Sequence, residues 1–172
     1  MISSRFARRG LALLLILLFP SFGWAKIPND PLYDEVWYLD TINAPAAWDV
    51  TTGSSSVVVA VLDTGLDLDH EDVQANLWTN TGEIAENGED DDGNGFVDDV
   101  HGWDFIDNDN NASPDPDETS SRDAVSHGTL IAGEIGAVGN NGVGISGVNW
   151  NVKIMPIRML SDQGSGTEYD AA

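Results

Sequence analysis

The chain has 172 residues, enough for one domain around a single core. It carries 29 acidic against 7 basic residues, a formal net charge of −22, and no cysteine. Such a surface repels nucleic acid and anionic membrane, and a disulfide-built fold is excluded.

The first 25 residues read as an export signal rather than as part of the fold. Arg5, Arg8 and Arg9 form a positive start, and Leu11–Phe19 is an apolar run too short to span a bilayer. Gly23 and Ala25 occupy the small-residue positions of a cleavage site, which predicts a cut after Ala25. The expected location is secreted or periplasmic, with residues 26–172 as the folded part. Removing the three arginines takes the net charge from −22 to −25. Carboxylates at that density repel one another and call for cations, most simply calcium outside the cell.

Residues 28–40 form a polar leader dotted with aromatics. Asn43 is placed to cap a short helix beginning Ala44-Pro45. Residues 51–56 read as a turn into the central element. That element is the β-branched run Val57–Val61, extended by Leu62 and ended by Asp63, Thr64 and Gly65. An uninterrupted apolar run of this kind predicts a strand buried on both faces, as inside a parallel sheet. Open α/β sheets place their chemistry at the C-terminal ends of such strands, which is where Asp63 stands.

Residues 67–77 are polar, with Leu68, Val73 and Leu77 as anchors. From 82 to 123 the chain is acidic and punctuated by Gly, Asn and Pro, with Gly102–Ile106 its only strand-like run. A structureless loop of this length needs something to order it. Asp90, Asp92 and Asn94 fall at positions 1, 3 and 5 of an EF-hand-like loop, with Gly95 at the turn and Asp98 at position 9. Position 12 is His101 instead of a bidentate Glu, so Asp99 or a distant acid has to complete a calcium site. An acidic solvated loop is the plain alternative.

A helical period resumes at Ser126 through Leu130, Ile131, Glu134, Ile135 and Val138, with small residues between them. His127 is expected at the start of this buried helix; taken alone it reads as a structural or capping histidine. Gly139–Gly147 is a glycine-rich loop. Val152–Leu160 is a second apolar strand, weakened by Pro156. Gly164–Gly166 reads as a turn or edge segment, and residues 167–172 as the first turn of a helix.

A strand ending in D-T-G, followed later by H-G-T-L-I-A-G, resembles the subtilisin-like serine peptidases, the subtilases. The stretches W-Y-L-D-T-I-N-A-P-A-A-W-D, G-N-N-G-V-G-I-S-G-V and V-K-I-M-P-I-R-M-L follow in that family's order, so the resemblance covers residues 28–172. It implies an α/β fold, a three-layer α/β/α sandwich with a mostly parallel sheet. It implies endopeptidase activity on polypeptides through an Asp-His-Ser triad in that chain order. Asp63 and His127 match the first two members. Leu130 stands where the family has a second histidine, which is not the proton carrier. The family's G-T-S-x-A nucleophile segment and oxyanion Asn have no match up to Ala172, so the chain as written is expected to be inactive. The resemblance also implies that Gly164, Ser165 and Gly166 pair with substrate as an edge strand, and that Asp72 and Asn141, with Asn140 the alternative in a loop one residue longer, contribute to a second calcium site. D-T-G is also the signature of aspartic peptidases, but those need two such motifs and one is present. A calcium-binding module without catalysis is the rival outside the enzymes.

Overall fold

The computed structural model describes residues 25–167. The expected signal segment lies outside them except for Ala25, and so does the expected C-terminal helical turn except for Thr167. Two short helices come first, α1 (Trp37–Thr41) and α2 (Ala44–Trp48). Strand β1 (Gly53–Asp63), strand β2 (Trp103–Asp104), helix α3 (Arg122–Gly136) and strand β3 (Asn151–Arg158) follow. The sheet order is β1-β3-β2, parallel throughout, with β1 and β3 joined by a crossover that contains α3. This is the expected α/β arrangement; among the described residues α3 covers one sheet face.

The core follows from side-chain alternation. Along β3 the residues Val152, Ile154, Pro156 and Arg158 are buried and their neighbours half-buried or exposed. Val61, Leu66, Val73, Leu77, Ala132, Val152 and Ile154 make one apolar cluster between sheet and α3. A second cluster gathers Leu39, Ala44, Trp48 and Trp150, with the Trp48 indole N–H donating to the Val148 carbonyl at 2.9 Å. Pro156 is tolerated because of which side its missing N–H faces. Trp78 N donates to the Ile154 carbonyl on the β2 side, and alternate residues repeat that direction, so Pro156 leaves its gap before β2 pairing begins at Ile157.

Three expectations change. β1 is not buried on both faces: Val57, Val58 and Leu62 are 52%, 47% and 48% exposed. Among the described residues β1 pairs only with β3, and α3 covers only the end of its inner face, so burial is confined to Val61 and Asp63. The strand also starts at Gly53, inside the expected turn, with a register irregularity between Gly53 and Val58. Asn43 precedes α2 as expected but sits in the left-handed region and makes no side-chain cap.

Candidate active site

Asp63 is the last residue of β1, and its backbone carbonyl accepts Met159 N at 2.9 Å and Leu160 N at 3.0 Å from the end of β3. The sheet ladder therefore fixes its Cα. Thr64 N donates to Asp63 Oδ1 at 2.7 Å, which fixes the carboxylate. Gly65 then turns the chain away at φ +98°, a conformation that side-chain-bearing residues rarely adopt.

Helix α3 begins four residues before the expected start. Ser121 is its N-cap, with Oγ accepting from Ala124 N at 3.4 Å. His127 thus lies in the second turn rather than at the helix start. Gly128 lets the helix close on the strand end, since a Cβ there would collide with the Gly65 carbonyl. Thr64 clamps the junction: its hydroxyl donates to the Ala124 carbonyl at 2.7 Å and accepts from Gly128 N at 3.1 Å.

This packing brings His127 Nδ1 within 2.8 and 2.9 Å of the two Asp63 oxygens. An ionised carboxylate only accepts, so Nδ1 carries the proton, and in the neutral imidazole Nε2 then presents a lone pair. The Asp63 side chain is 11% exposed and the His127 side chain 56% exposed. The pair is therefore anchored on the protein side and open on the other. A cleft of about 250 Å³ lies alongside, lined by Thr64, Asp123, Ala124, His127, Leu160 and Gly164. Such a histidine can take a proton from a hydroxyl at Nε2 and return it, while Asp63 holds the tautomer.

Gly164 reaches this cleft, but Gly164–Gly166 is not a strand. Gly164 N donates to the Ser161 carbonyl at 2.7 Å and Ser161 N to the Ser165 carbonyl at 2.8 Å, which closes a tight turn. The Ser165 carbonyl, which an edge strand would present outward, is used inside that turn.

The residues expected to hold calcium divide into two places. In the acidic loop, Glu83, Asp90 and Asp92 bring carboxylate oxygens within 4.8 Å of one another. Asn94 joins them, donating to Asp92 Oδ2 at 3.2 Å and to Asp99 Oδ2 at 3.0 Å. Asp98 is not in this group of converging oxygens; its carboxylate accepts Asn87 N and Gly88 N at 3.1 and 2.9 Å. Glu83 takes that place, seven residues before Asp90 and so outside the spacing a local loop motif describes. In the second place Asn141 Nδ2 donates to Asp72 Oδ1 at 2.8 Å, and Ile145 N to Asp72 Oδ2 at 2.9 Å. Asp30 also belongs here: buried, it accepts from Asn140, Asn141 and Gly142 N and from the Ser146 hydroxyl. Both places offer hard oxygen donors of the type calcium takes.

The model of the subtilase family matches residues 54–172 of this chain. The chain belongs to the subtilase family. It is 33% identical to thermitase of Thermoactinomyces vulgaris over 141 residues, covering 81% of this chain and 39% of that protein. It is 35% identical to an extracellular basic protease of Dichelobacter nodosus over 153 residues, 84% of this chain and 24% of that protein. Among solved structures, a protease of Pseudoalteromonas arctica superposes with a TM-score of 0.61 at 34% identity, covering 83% of this chain and 41% of that one. This subtilase chain thus spans between about a quarter and two fifths of the relatives compared. Among its described residues no helix is long and apolar enough to cross a membrane.

Proposed function

We propose that residues 26–172 are the N-terminal part of the catalytic domain of an exported serine endopeptidase, carrying two of its three catalytic side chains. The observation that supports this best is the paired hydrogen bond between His127 Nδ1 and Asp63 at the end of β1. His127 acts as general base toward a serine hydroxyl, then as general acid toward the leaving amine. Asp63 keeps the imidazole in the required tautomer and stabilises its charged form. The serine and the oxyanion donor would be supplied by a G-T-S-x-A segment outside residues 26–172. Polypeptides are the substrates, and Gly164 lines the cleft where the chain would lie. The extracellular character named for the Dichelobacter relative accords with a signal segment cut after Ala25.

Calcium is proposed as a structural cofactor. Glu83, Asp90 and Asp92 would hold one ion, with Asn94 adjacent. Asp72, Asn141 and Asp30 would surround a second. Bound calcium would supply positive charge that relieves carboxylate repulsion and cross-links loops; it takes no part in bond cleavage.

The test is a serine-directed fluorophosphonate probe, applied to residues 26–172 and to the same chain continued through a downstream G-T-S-x-A. The expected result is labelling of the longer chain alone, lost in His127→Ala. Labelling of the shorter chain that His127→Ala abolishes would contradict the assignment of the nucleophile.

A further inference from the structure

Four basic residues lie between 26 and 172: Lys26, Arg122, Lys153 and Arg158. Arg158 is buried, 3% exposed, at the end of β3. It pairs in register with Asp63 and shares its sheet face, the face that α3 covers. Burial disfavours its charge, and ion pairs with Asp104 and Asp107 outweigh that and hold it protonated. We propose that Arg158 is a positioning residue for the Asp63–His127 pair, acting through Asp162 and the cap of α3. The proposal rests on reading that pair as catalytic.

Two connections run from Arg158 to the pair. One is the backbone: the next two residues, Met159 and Leu160, both donate to the Asp63 carbonyl. The other passes through the side chain. Nη2 donates to Asp162 Oδ1 at 3.2 Å, and the Asp162 carbonyl accepts Ser121 N at 2.9 Å. Ser121 is the N-cap of α3, and its carbonyl accepts Val125 N at 2.9 Å, two residues before His127. The Gln163 amide adds a second tie by donating to the Thr119 carbonyl. The turn 161–165 is thus a strut between the sheet end and the helix start.

The far side of the guanidinium is held as firmly. Nη1 donates to Asp104 and to Asp107, the latter at 2.6 Å. Asp104 Oδ1 accepts Ile106 N at 2.7 Å and Asp107 N at 3.1 Å, and Phe105 N donates to the Arg158 carbonyl at 2.8 Å. Arg158 therefore cannot follow Asp162 outward without breaking the turn after β2. One planar group with separately aimed nitrogens sets the distance between the strand end that carries Asp63 and the helix that carries His127. Lysine keeps the charge but offers one nitrogen where three carboxylates need several.

The experiment reads the His127 Nδ1 proton by NMR in the full chain, specifically its exchange with water. Asp63→Asn is the reference and should abolish the protected signal. The Asp162 side chain, 12% exposed, is one of the three carboxylates on Arg158; Asp162→Ala removes it and keeps the carbonyl to Ser121. It is expected to leave the thermal midpoint close to wild type, yet to speed exchange by about fivefold or more. Arg158→Lys is expected to do the same, and Asp162→Glu to restore protection in part. If Asp162→Ala folds and exchange is unchanged while Asp63→Asn abolishes the signal, positioning by Arg158 is overturned and the pair stands. If Asp63→Asn itself changes nothing, the reading of the pair falls and takes the proposal with it. Asp162→Ala alone decides the outcome should Arg158→Lys fail to fold.

Discussion

Asp63 and Asp90 both accept backbone N–H groups, yet they stand in opposite relations to the chain around them. Asp63 ends an eleven-residue strand, and the ladder to β3, the Thr64 clamp and helix α3 fix it from outside. Asp90 has no regular element near it. Its own carboxylate accepts from Gly93, Asn94 and Gly95, and so makes the turn it sits in. Glu83 does the same across a wider span, accepting from Asp91, Asp92 and Asp98 N. In the first region secondary structure positions a carboxylate whose two oxygens face the His127 imidazole. In the second the carboxylates are the scaffold. Geometry at Asp63 therefore depends on core packing, and geometry in the loop depends on charge.

The largest effect that separates the two should come from the core. Ile154, fully buried between sheet and α3, is expected to cost about 2–5 kcal/mol on replacement by alanine. Val97 in the acidic loop, 42% exposed, should change stability by less than about 0.5 kcal/mol when treated alike. Urea denaturation of both variants checks this, and equal losses would erase the distinction.

Next in size is the cation. Calcium at a hundredfold excess over its dissociation constant should stabilise the loop by about 2.7 kcal/mol. Limited proteolysis should then show cleavage within residues 82–123 only after a chelator is added. Glu83→Gln should remove the protection that calcium gives. Identical cleavage with and without chelator would count against a metal in this loop.

How far each region could be read from its residues follows from the same contrast. Asp63 was legible because the apolar run before it is local and continuous; His127 opens the periodic part of α3 but was paired with Asp63 only through the resemblance of D-T-G and H-G-T-L-I-A-G to the subtilases. The true start of α3 was not legible, since Arg122-Asp123-Ala124 carries no apolar period and only the Ser121 cap marks it. Exposure of Val57 and Leu62 was equally hidden: an apolar run shows what a strand could bury, not which neighbours cover it. Glu83, Asp30 and Arg158 escaped for a common reason. Each meets its partners through chain reversals or across the sheet, and spacing along the chain holds no trace of that.

A smaller effect sharpens the comparison with a carboxylate whose partner is a side chain. Tyr33 donates to Asp40 at 2.8 Å. Burial first, then that hydrogen bond to Asp40, raises its phenol from 10.0 to about 12. A raised folded value means the neutral phenol contributes stability fully below pH 10.0, and that contribution is lost as pH rises toward about 12. Ultraviolet titration should show the late midpoint, and Asp40→Asn should bring it down. An unmoved midpoint would leave burial and the charge of Asp34 as the causes.

In the proposed function Asp63 and His127 are two members of a triad whose serine lies in a G-T-S-x-A segment. The direct measurement is hydrolysis of a chromogenic peptide by the protein continued through the G-T-S-x-A segment, compared with its Asp63→Asn and His127→Ala variants. Triad members act as a unit, so His127→Ala should lower turnover by roughly 10⁶, and Asp63→Asn by about 10⁴ because the tautomer is lost. Both losses are expected with the fold intact. Turnover that survives His127→Ala within about tenfold of the parent would contradict the triad, because a general base contributes at least about 10².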